Sequence, residues 1–157
     1  MATAKAALAR FDAILRKEVY PEVGTAVTSD SELNRAGKRL IGRAFTGVYA
    51  SDTIPPFART GSSYHVVNID NHTQEGSHWL GLAKRGTRVY LYDSFGRAAS
   101  EVLPNLAASC REQGMTLVAK KSKPEQTRSQ EDCGARSLAW LLLFKRYGAR
   151  IATLVSE

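Results

Sequence analysis

Apolar residues recur every three or four positions in the first part of the chain. Over residues 3–19 this spacing predicts an amphipathic helix, which we expect Pro21 and Gly24 to stop. Ser29 and Glu32 have the spacing of a capping box, in which each side chain bonds the backbone N–H of the other residue. A second helix is therefore predicted to begin there and to run to about residue 43.

Apolar runs of β-like composition then predict a group of short strands. The runs lie at residues 64–69, 78–83, 88–92 and 115–119. Only Lys-Arg-Gly-Thr separates the second run from the third, so these two are expected to form a hairpin. Residues 45–63, which are rich in Gly, Pro and Ser, are predicted to form an extended loop.

Two further helices complete the pattern. A polar stretch at residues 104–113 is expected to be helical, and a strongly apolar stretch predicts a final helix from Cys133 to Tyr147, with Gly148 at its C-terminal cap. Strands clustered between helices indicate an α+β fold, with a central mixed sheet flanked by helices in one domain of 157 residues. Cys133 would then lie at the N-terminus of a core helix.

The composition is that of a soluble globular protein, with 43% hydrophobic and 24% charged residues. The longest apolar run, residues 138–144, is too short to cross a bilayer, and charges interrupt the N-terminal pattern as they do not in a secretory signal. Two cysteines without a targeting segment predict free thiols in a reducing compartment. We therefore expect an intracellular monomer without a membrane partner.

The chain carries a formal net charge of +7, from 22 Lys and Arg against 15 Asp and Glu. This excess favours an anionic partner such as nucleic acid, but most of the basic residues are spread along the chain, as on an ordinary solvated surface. The one local cluster is Lys120, Lys121 and Lys123. Both interpretations of the charge stay open.

Cys133 raises the main chemical question, because it lies between Asp132 and Gly134 where a polar loop becomes an apolar helix. A thiol attacks as its thiolate, and the partial positive charge at a helix N-terminus favours that form. Gly134 has no side chain, so a substrate backbone could approach the sulfur closely. Asp132 would oppose the thiolate if it lay near, or would cap the helix. The alternative is a buried structural thiol, and the Cys-Gly pair alone does not decide between the two.

A cysteine nucleophile needs a base and a group that orients the base. Of the three histidines, His65 lies in a predicted strand and His72 in a polar turn, so both are expected to be structural or exposed. His78 begins a strand and is followed by Trp79, whose ring could shield it from water. Pairing of the hairpin strands brings the start of one next to the end of the other, so we expect Asp93 to reach His78 and fix its tautomer.

The motifs GSHWLGL, VYLYDSFG and QTRSQEDCG supply His, Asp, Gln and Cys in that order. The ordered set resembles the adenovirus maturation protease family and the wider group of ubiquitin-like-protein proteases. The loop GVYASDTIP and the strand VVNID are also similar to the region just upstream in the viral members. Together these segments cover roughly two thirds of the chain.

The resemblance implies a cysteine protease with a thioester intermediate. Cys133 would be the nucleophile, His78 the general base and Asp93 its orienter. Gln126, seven positions before the cysteine, would help to form the oxyanion hole together with the backbone N–H of Cys133. Its spacing matches the adenoviral pattern better than that of Gln130, which lies only three positions before the cysteine.

Family members cut after glycine-containing sequences because their clefts are narrow, and the same preference is expected here. Substrate-binding residues would be Trp79, Gly134, and Tyr49 and Asp52 of the segment at residues 49–55. The resemblance implies neither a metal nor an organic cofactor.

This chain also departs from the adenoviral pattern. The adenoviral enzyme is longer. It orients its base with a glutamate, whereas this chain has Asp93, as in the cellular branch. It is activated by DNA and by a viral peptide that is joined through a disulfide. Cys110 does not fall convincingly at the linking position, so we expect it to be a thiol on a helix face. The basic residues near Gln126 keep activation by DNA open; they are Lys120, Lys121, Lys123 and Arg128.

Three functions are consistent with these residues. The leading hypothesis is a viral-type cysteine endopeptidase that processes capsid or other virion precursors, in the virion or in the nucleus or cytoplasm of a host. The alternative enzyme is a deubiquitinase or a protease for another ubiquitin-like modifier, with the same catalytic residues. The third is a basic binding protein without catalytic activity.

Overall fold

The computed structural model describes residues 3–73, 78–119, 124 and 131–155. Within these ranges, one mixed sheet is formed by β1 (Phe45–Tyr49), β2 (Ser62–Asn68), β3 (Trp79–Arg85), β4 (Arg88–Tyr92) and β5 (Thr116–Val118), which lie side by side in chain order. The β1–β2 and β4–β5 pairs are parallel, and the two central pairs are antiparallel. The predicted α+β class with a mixed sheet is confirmed, as is the hairpin of β3 and β4.

Helices flank this sheet. They are α1 (Ala4–Ile14), α2 (Tyr20–Val23), α3 (Asp30–Leu40), α4 (Ala99–Val102), α5 (Leu106–Glu112), α6 (Cys133–Tyr147) and α7 (Ala149–Leu154). The capping box that begins α3 is present, with both reciprocal bonds between Ser29 and Glu32. The bounds of α6 are those predicted, and Gly148 ends it with a φ of +88°, a value that favours glycine. The sequence pattern did not predict α4 and α7. No helix in the described ranges is long and apolar enough to cross a membrane.

Of the two residues predicted to stop the first helix, Gly24 ends the helical arm and Pro21 does not. A π-helical segment, Leu15–Val19, follows α1, and α2 then carries Pro21 in its first turn and ends at Gly24. Most of the buried residues of this arm are spaced by four, at Ala7, Phe11, Leu15, Val19 and Val23, and Ile14 is also buried. In an α-helix, residues spaced by four point in directions that differ by about 40° around the axis, so a stripe with this spacing drifts around the helix. The wider π-helical turn keeps the stripe on one side. Pro21 is tolerated because a first-turn position does not need its N–H.

Each face of the sheet carries its own hydrophobic core. One core joins α1, α3 and α6 to side chains such as Tyr64, Val66 and Tyr92. The other joins α4 and α5 to Val67, Leu80 and Leu82. Side chains alternate between the faces along each strand, so neighbouring strand residues belong to different cores.

Residues 45–63 are not wholly a loop, because their first five residues form β1. This short edge strand has an irregular register between Phe45 and Gly47, and the Gly, Pro and Ser residues of the segment conceal it from a prediction based on composition. The segment that follows is fixed by Lys84, a fully buried residue of β3 whose Nζ donates to the carbonyl oxygens of Ala58 at 2.7 Å and Thr60 at 2.8 Å.

Helix α6 lies close against β3. A Cβ atom at Gly81 would lie 3.2 Å from Cε3 of Trp140 and 3.5 Å from the carbonyl oxygen of Ser137. The Ser137 hydroxyl donates to the carbonyl oxygen of Trp79 at 3.2 Å, and the Trp140 ring stacks on Tyr92 with centroids 5.3 Å apart. These contacts fix the first turn of α6 beside the first residue of β3.

We expect Gly81→Val to destabilise the fold by about 1–3 kcal/mol, because its methyl groups have no space beneath Trp140. Thr116→Val, at an exposed position of β5, is the control and should change stability by less than about 0.5 kcal/mol. Urea denaturation of both variants measures the difference. Equal stability of Gly81→Val and the wild type would contradict the close packing of α6 on β3.

Candidate active site

The β3–β4 hairpin brings His78 and Asp93 together. Gly81 pairs with Tyr92, so the residue before β3 and the residue after β4 lie at the same end of the hairpin. Nε2 of His78 lies 2.7 Å from Oδ1 of Asp93, and both residues are only 5% exposed. The contact that the hairpin predicted is present.

Asp93 has further partners that the sequence did not predict. The Arg97 side chain donates from Nε to Oδ2 at 2.8 Å, and the backbone N–H groups of Phe95 and Arg97 donate to the two carboxylate oxygens at 3.1 Å. Burial alone would raise the pKa of Asp93, but the hydrogen bonds from His78, Arg97 and Phe95 hold it well below its usual range. Asp93 is therefore an anion that several donors keep in one position.

Cys133 is the first residue of α6 and lies against the same end of β3. The backbone N–H of Trp79 donates to its Sγ at 3.4 Å, and His78 lies beside the thiol and interacts with it electrostatically. Because Nε2 of His78 contacts Asp93, Nδ1 is the ring nitrogen that remains for the sulfur. The backbone N–H of Cys133 belongs to the first turn of α6, whose N–H groups have no acceptor within the helix.

The surroundings of His78 favour its charged form. Burial lowers the pKa of the imidazole, but the hydrogen bonds to Asp93 and Cys133 outweigh it, so the pKa of His78 lies above its ordinary value. The ring that covers His78 is that of Phe95, stacked at a centroid distance of 4.7 Å. The sequence had suggested that Trp79 would provide this shielding.

Trp79 and Gly134 both lie beside Cys133, and both contact Thr28. Trp79 is half-buried, and its indole N–H donates to the carbonyl oxygen of Thr28 at 3.3 Å. A Cβ atom at Gly134 would lie 2.3 Å from Oγ1 of Thr28 and 2.9 Å from Leu33. Packing against these two residues therefore requires glycine at position 134, whatever its role towards substrate.

Tyr49 and Asp52 make their contacts elsewhere. The Tyr49 ring packs against His65 at a centroid distance of 6.0 Å, on the sheet face that carries Phe57 and not α6. Asp52 accepts hydrogen bonds from the exposed His72. Within the described ranges, no side-chain contact joins either residue to Cys133 or His78, so the structure does not bring these two predicted substrate-binding residues to the thiol.

The remaining predicted residues divide into two groups. Gln126 lies outside the described residues, as do Gln130, Lys120, Lys121, Lys123 and Arg128. Cys110 is described: it is a free, buried thiol of α5, and burial raises its pKa. Cys133 is also free, so neither thiol belongs to a disulfide.

Asp132, the residue before Cys133, caps no N–H group of α6 with its side chain. Its carboxylate is bonded instead by the hydroxyl of Tyr20 and by the guanidinium of Arg136. The Asp-Cys-Gly motif gave no indication of either partner. Arg136 lies four residues along the same helix and could have been found from that spacing, whereas Tyr20 is 112 residues away in sequence.

The arrangement of Cys133, His78 and Asp93 allows the thiol to act as a nucleophile. A thiol beside an imidazole whose second nitrogen bonds a carboxylate can lose its proton to that imidazole and attack a carbonyl carbon. No set of three or more His, Cys, Asp and Glu residues in the described part of the chain could hold a metal ion.

No protein-family model matches this chain, and no curated protein matches it in sequence. Functional interpretation therefore depends on the geometry of Cys133, His78 and Asp93 and on the motifs that contain them.

We expect Asp93→Asn to lower the pKa of His78, because the imidazolium loses its carboxylate partner. NMR titration of the His78 ring resonances measures this change. An unaltered His78 titration would contradict the assigned contact.

The same substitution should change stability in a pH-dependent way. Because the pKa of His78 is raised in the folded state, its protonation stabilises the fold at pH values below the unfolded-state pKa near 6.5. This contribution is lost as pH rises through the folded-state pKa. The lowered pKa of Asp93 stabilises the fold above about pH 3.9, and this contribution is lost as pH falls further. The stability loss in Asp93→Asn, measured by urea denaturation, should therefore be largest between about pH 4 and 6.5.

Proposed function

We propose that this chain is a cysteine peptidase that cleaves its substrate through a thioester intermediate. The observation that supports this most strongly is the buried series Cys133, His78 and Asp93, in which the thiol lies at the start of a helix beside an imidazole that bonds the carboxylate of Asp93. His78 precedes β3, Asp93 follows β4 and Cys133 begins α6, and the sequence motifs that contain them resemble one protease group.

The reaction follows from these positions. His78 takes the thiol proton of Cys133 through Nδ1, the sulfur bonds to the carbonyl carbon, and charge develops on the carbonyl oxygen. The backbone N–H of Cys133 stabilises that oxyanion, and the resemblance adds the side-chain amide of Gln126. His78 then protonates the leaving amine as the C–N bond breaks. Water, activated by the same imidazole, hydrolyses the thioester and restores the thiol.

The substrate that we propose is a glycine-containing site in a virion or capsid precursor. The support comes from the resemblance to the viral branch, whose upstream loop and strand are similar to GVYASDTIP and VVNID, and from the net charge of +7. Asp93 as the orienting acid is a feature of the cellular branch, and it supports the alternative, a protease for ubiquitin or a ubiquitin-like modifier.

One paired assay tests the activity and separates the two substrate classes. The protein is incubated with glycine-containing peptides, with and without DNA, and with ubiquitin-type probes that carry an electrophile at the C-terminal glycine. We expect peptide cleavage that Cys133→Ala abolishes and that Asp93→Asn lowers by about 10²–10⁴-fold. Cys110→Ala, which removes the other thiol, should retain activity.

Rapid labelling of Cys133 by the ubiquitin-type probe would replace the capsid-precursor proposal with the modifier protease. If neither substrate class reacts and Cys133 resists alkylation, the peptidase proposal itself fails.

A further inference from the structure

The carboxylate of Asp132 is unusually placed for the residue that begins a helix. An Asp at this position ordinarily accepts a hydrogen bond from an N–H group two or three residues later, which satisfies the first turn. Here the side chain makes no such bond. Asp132 is buried at 5% exposure, so its charge needs other partners.

Two side chains hold this carboxylate, one from α2 and one from α6. The Tyr20 hydroxyl donates to Oδ2 at 2.5 Å, and Nε of Arg136 donates to Oδ1 at 3.0 Å and to Oδ2 at 3.1 Å. The Arg136 side chain is itself only 12% exposed. Both carboxylate oxygens are thus occupied by donors other than the first-turn N–H groups of α6.

We propose that Tyr20 and Arg136 are positioning residues that hold the Asp132 carboxylate away from the thiol of Cys133 and from the first-turn N–H groups of α6. This inference rests on the proposed function, in which Cys133 is the nucleophile. Its physical reason is electrostatic. A carboxylate that turned towards the start of α6 would bring its negative charge close to the sulfur and would repel the thiolate.

The charges around Asp132 support this arrangement. Burial and the bond to Asp132 raise the pKa of Tyr20 to about 12, so its hydroxyl stays a donor at neutral pH. Burial lowers the pKa of Arg136, but Asp132 outweighs it and the net direction is upward. The other groups that face this network are Arg16 from the π-helical segment and Tyr92 from β4, while His78 lies beside the neighbouring thiol.

The N-terminal arm is built so that Tyr20 can make this contact. The π-helical segment Leu15–Val19 immediately precedes Tyr20 and changes the direction in which the following residues point. Val19 and Val23 can then pack into the core while Tyr20, between them, reaches the start of α6. Single π-helical turns are frequent at functional sites.

Paired alkylation tests the inference. Iodoacetamide is neutral and iodoacetate is an anion, so the ratio of their rates at Cys133 measures the charge near the sulfur. In Tyr20→Phe, which keeps the ring and removes the donor, we expect the rate with iodoacetate to fall about five-fold relative to iodoacetamide. The double variant Tyr20→Phe, Asp132→Ala should return the ratio to the wild-type value. Mass spectrometry follows Cys133, and thermal denaturation verifies folding.

Arg136→Gln is a second variant that releases the same carboxylate, and its ratio should change in the same direction. An unchanged ratio in both Tyr20→Phe and Arg136→Gln, with Cys133 still reactive, would overturn this inference and leave the proposed function intact. If Tyr20→Phe lowers the ratio and the added Asp132→Ala substitution does not restore it, the inference is also overturned. The change would then come from altered structure and not from the charge of Asp132. If wild-type Cys133 reacts no faster than Cys110, the proposed function fails and this inference fails with it.

Discussion

The site depends on how the first turn of α6 packs against β3. The Ser137 hydroxyl bonds the carbonyl oxygen of Trp79, and Trp140 covers the open backbone of Gly81. These contacts place Cys133 where the Trp79 N–H meets its sulfur and where His78 can bond it. The hairpin brings Asp93 to His78, and this helix–strand contact brings the thiol beside the imidazole. Chemistry at Cys133 is therefore a consequence of core packing as much as of residue type.

Buried charge near the thiol is compensated twice, in parallel ways. Asp93 is bonded by His78 and by Arg97, and Asp132 is bonded by Tyr20 and by Arg136. In each case an arginine four residues later supplies the cation. The first carboxylate is directed at the imidazole, whereas the second is directed away from the thiol. The partners of Asp93 thus hold its charge beside the imidazolium, which it stabilises. The partners of Asp132 hold its charge away from the thiolate, which it would oppose. Both carboxylates need such partners because an unpaired buried carboxylate is costly.

The sequence predicted the parts of the fold that local patterns determine. The capping box at Ser29 and the apolar run of α6 specify their helices through contacts of only a few residues, and the short β3–β4 turn makes the meeting of His78 and Asp93 predictable. Edge strand β1 was missed because it begins a segment rich in Gly, Pro and Ser, a composition that predicts a loop. Pro21 was wrongly predicted to help Gly24 stop the helical arm, because a local pattern does not include the core contacts that favour a π-helical segment. Tyr20 and Asp132 meet only after the whole core has assembled, so no local pattern shows their contact.

The central claim is that His78 makes Cys133 a nucleophile, and Cys110 offers a reference thiol within the same molecule. Alkylation of both cysteines by iodoacetamide, followed by mass spectrometry from pH 5 to pH 9, compares the two directly. The account predicts that Cys133 is modified much faster than Cys110 near pH 6, and that His78→Ala removes this advantage while Cys110 is unchanged. Equal rates at the two thiols, or a rate at Cys133 that does not depend on His78, would contradict it.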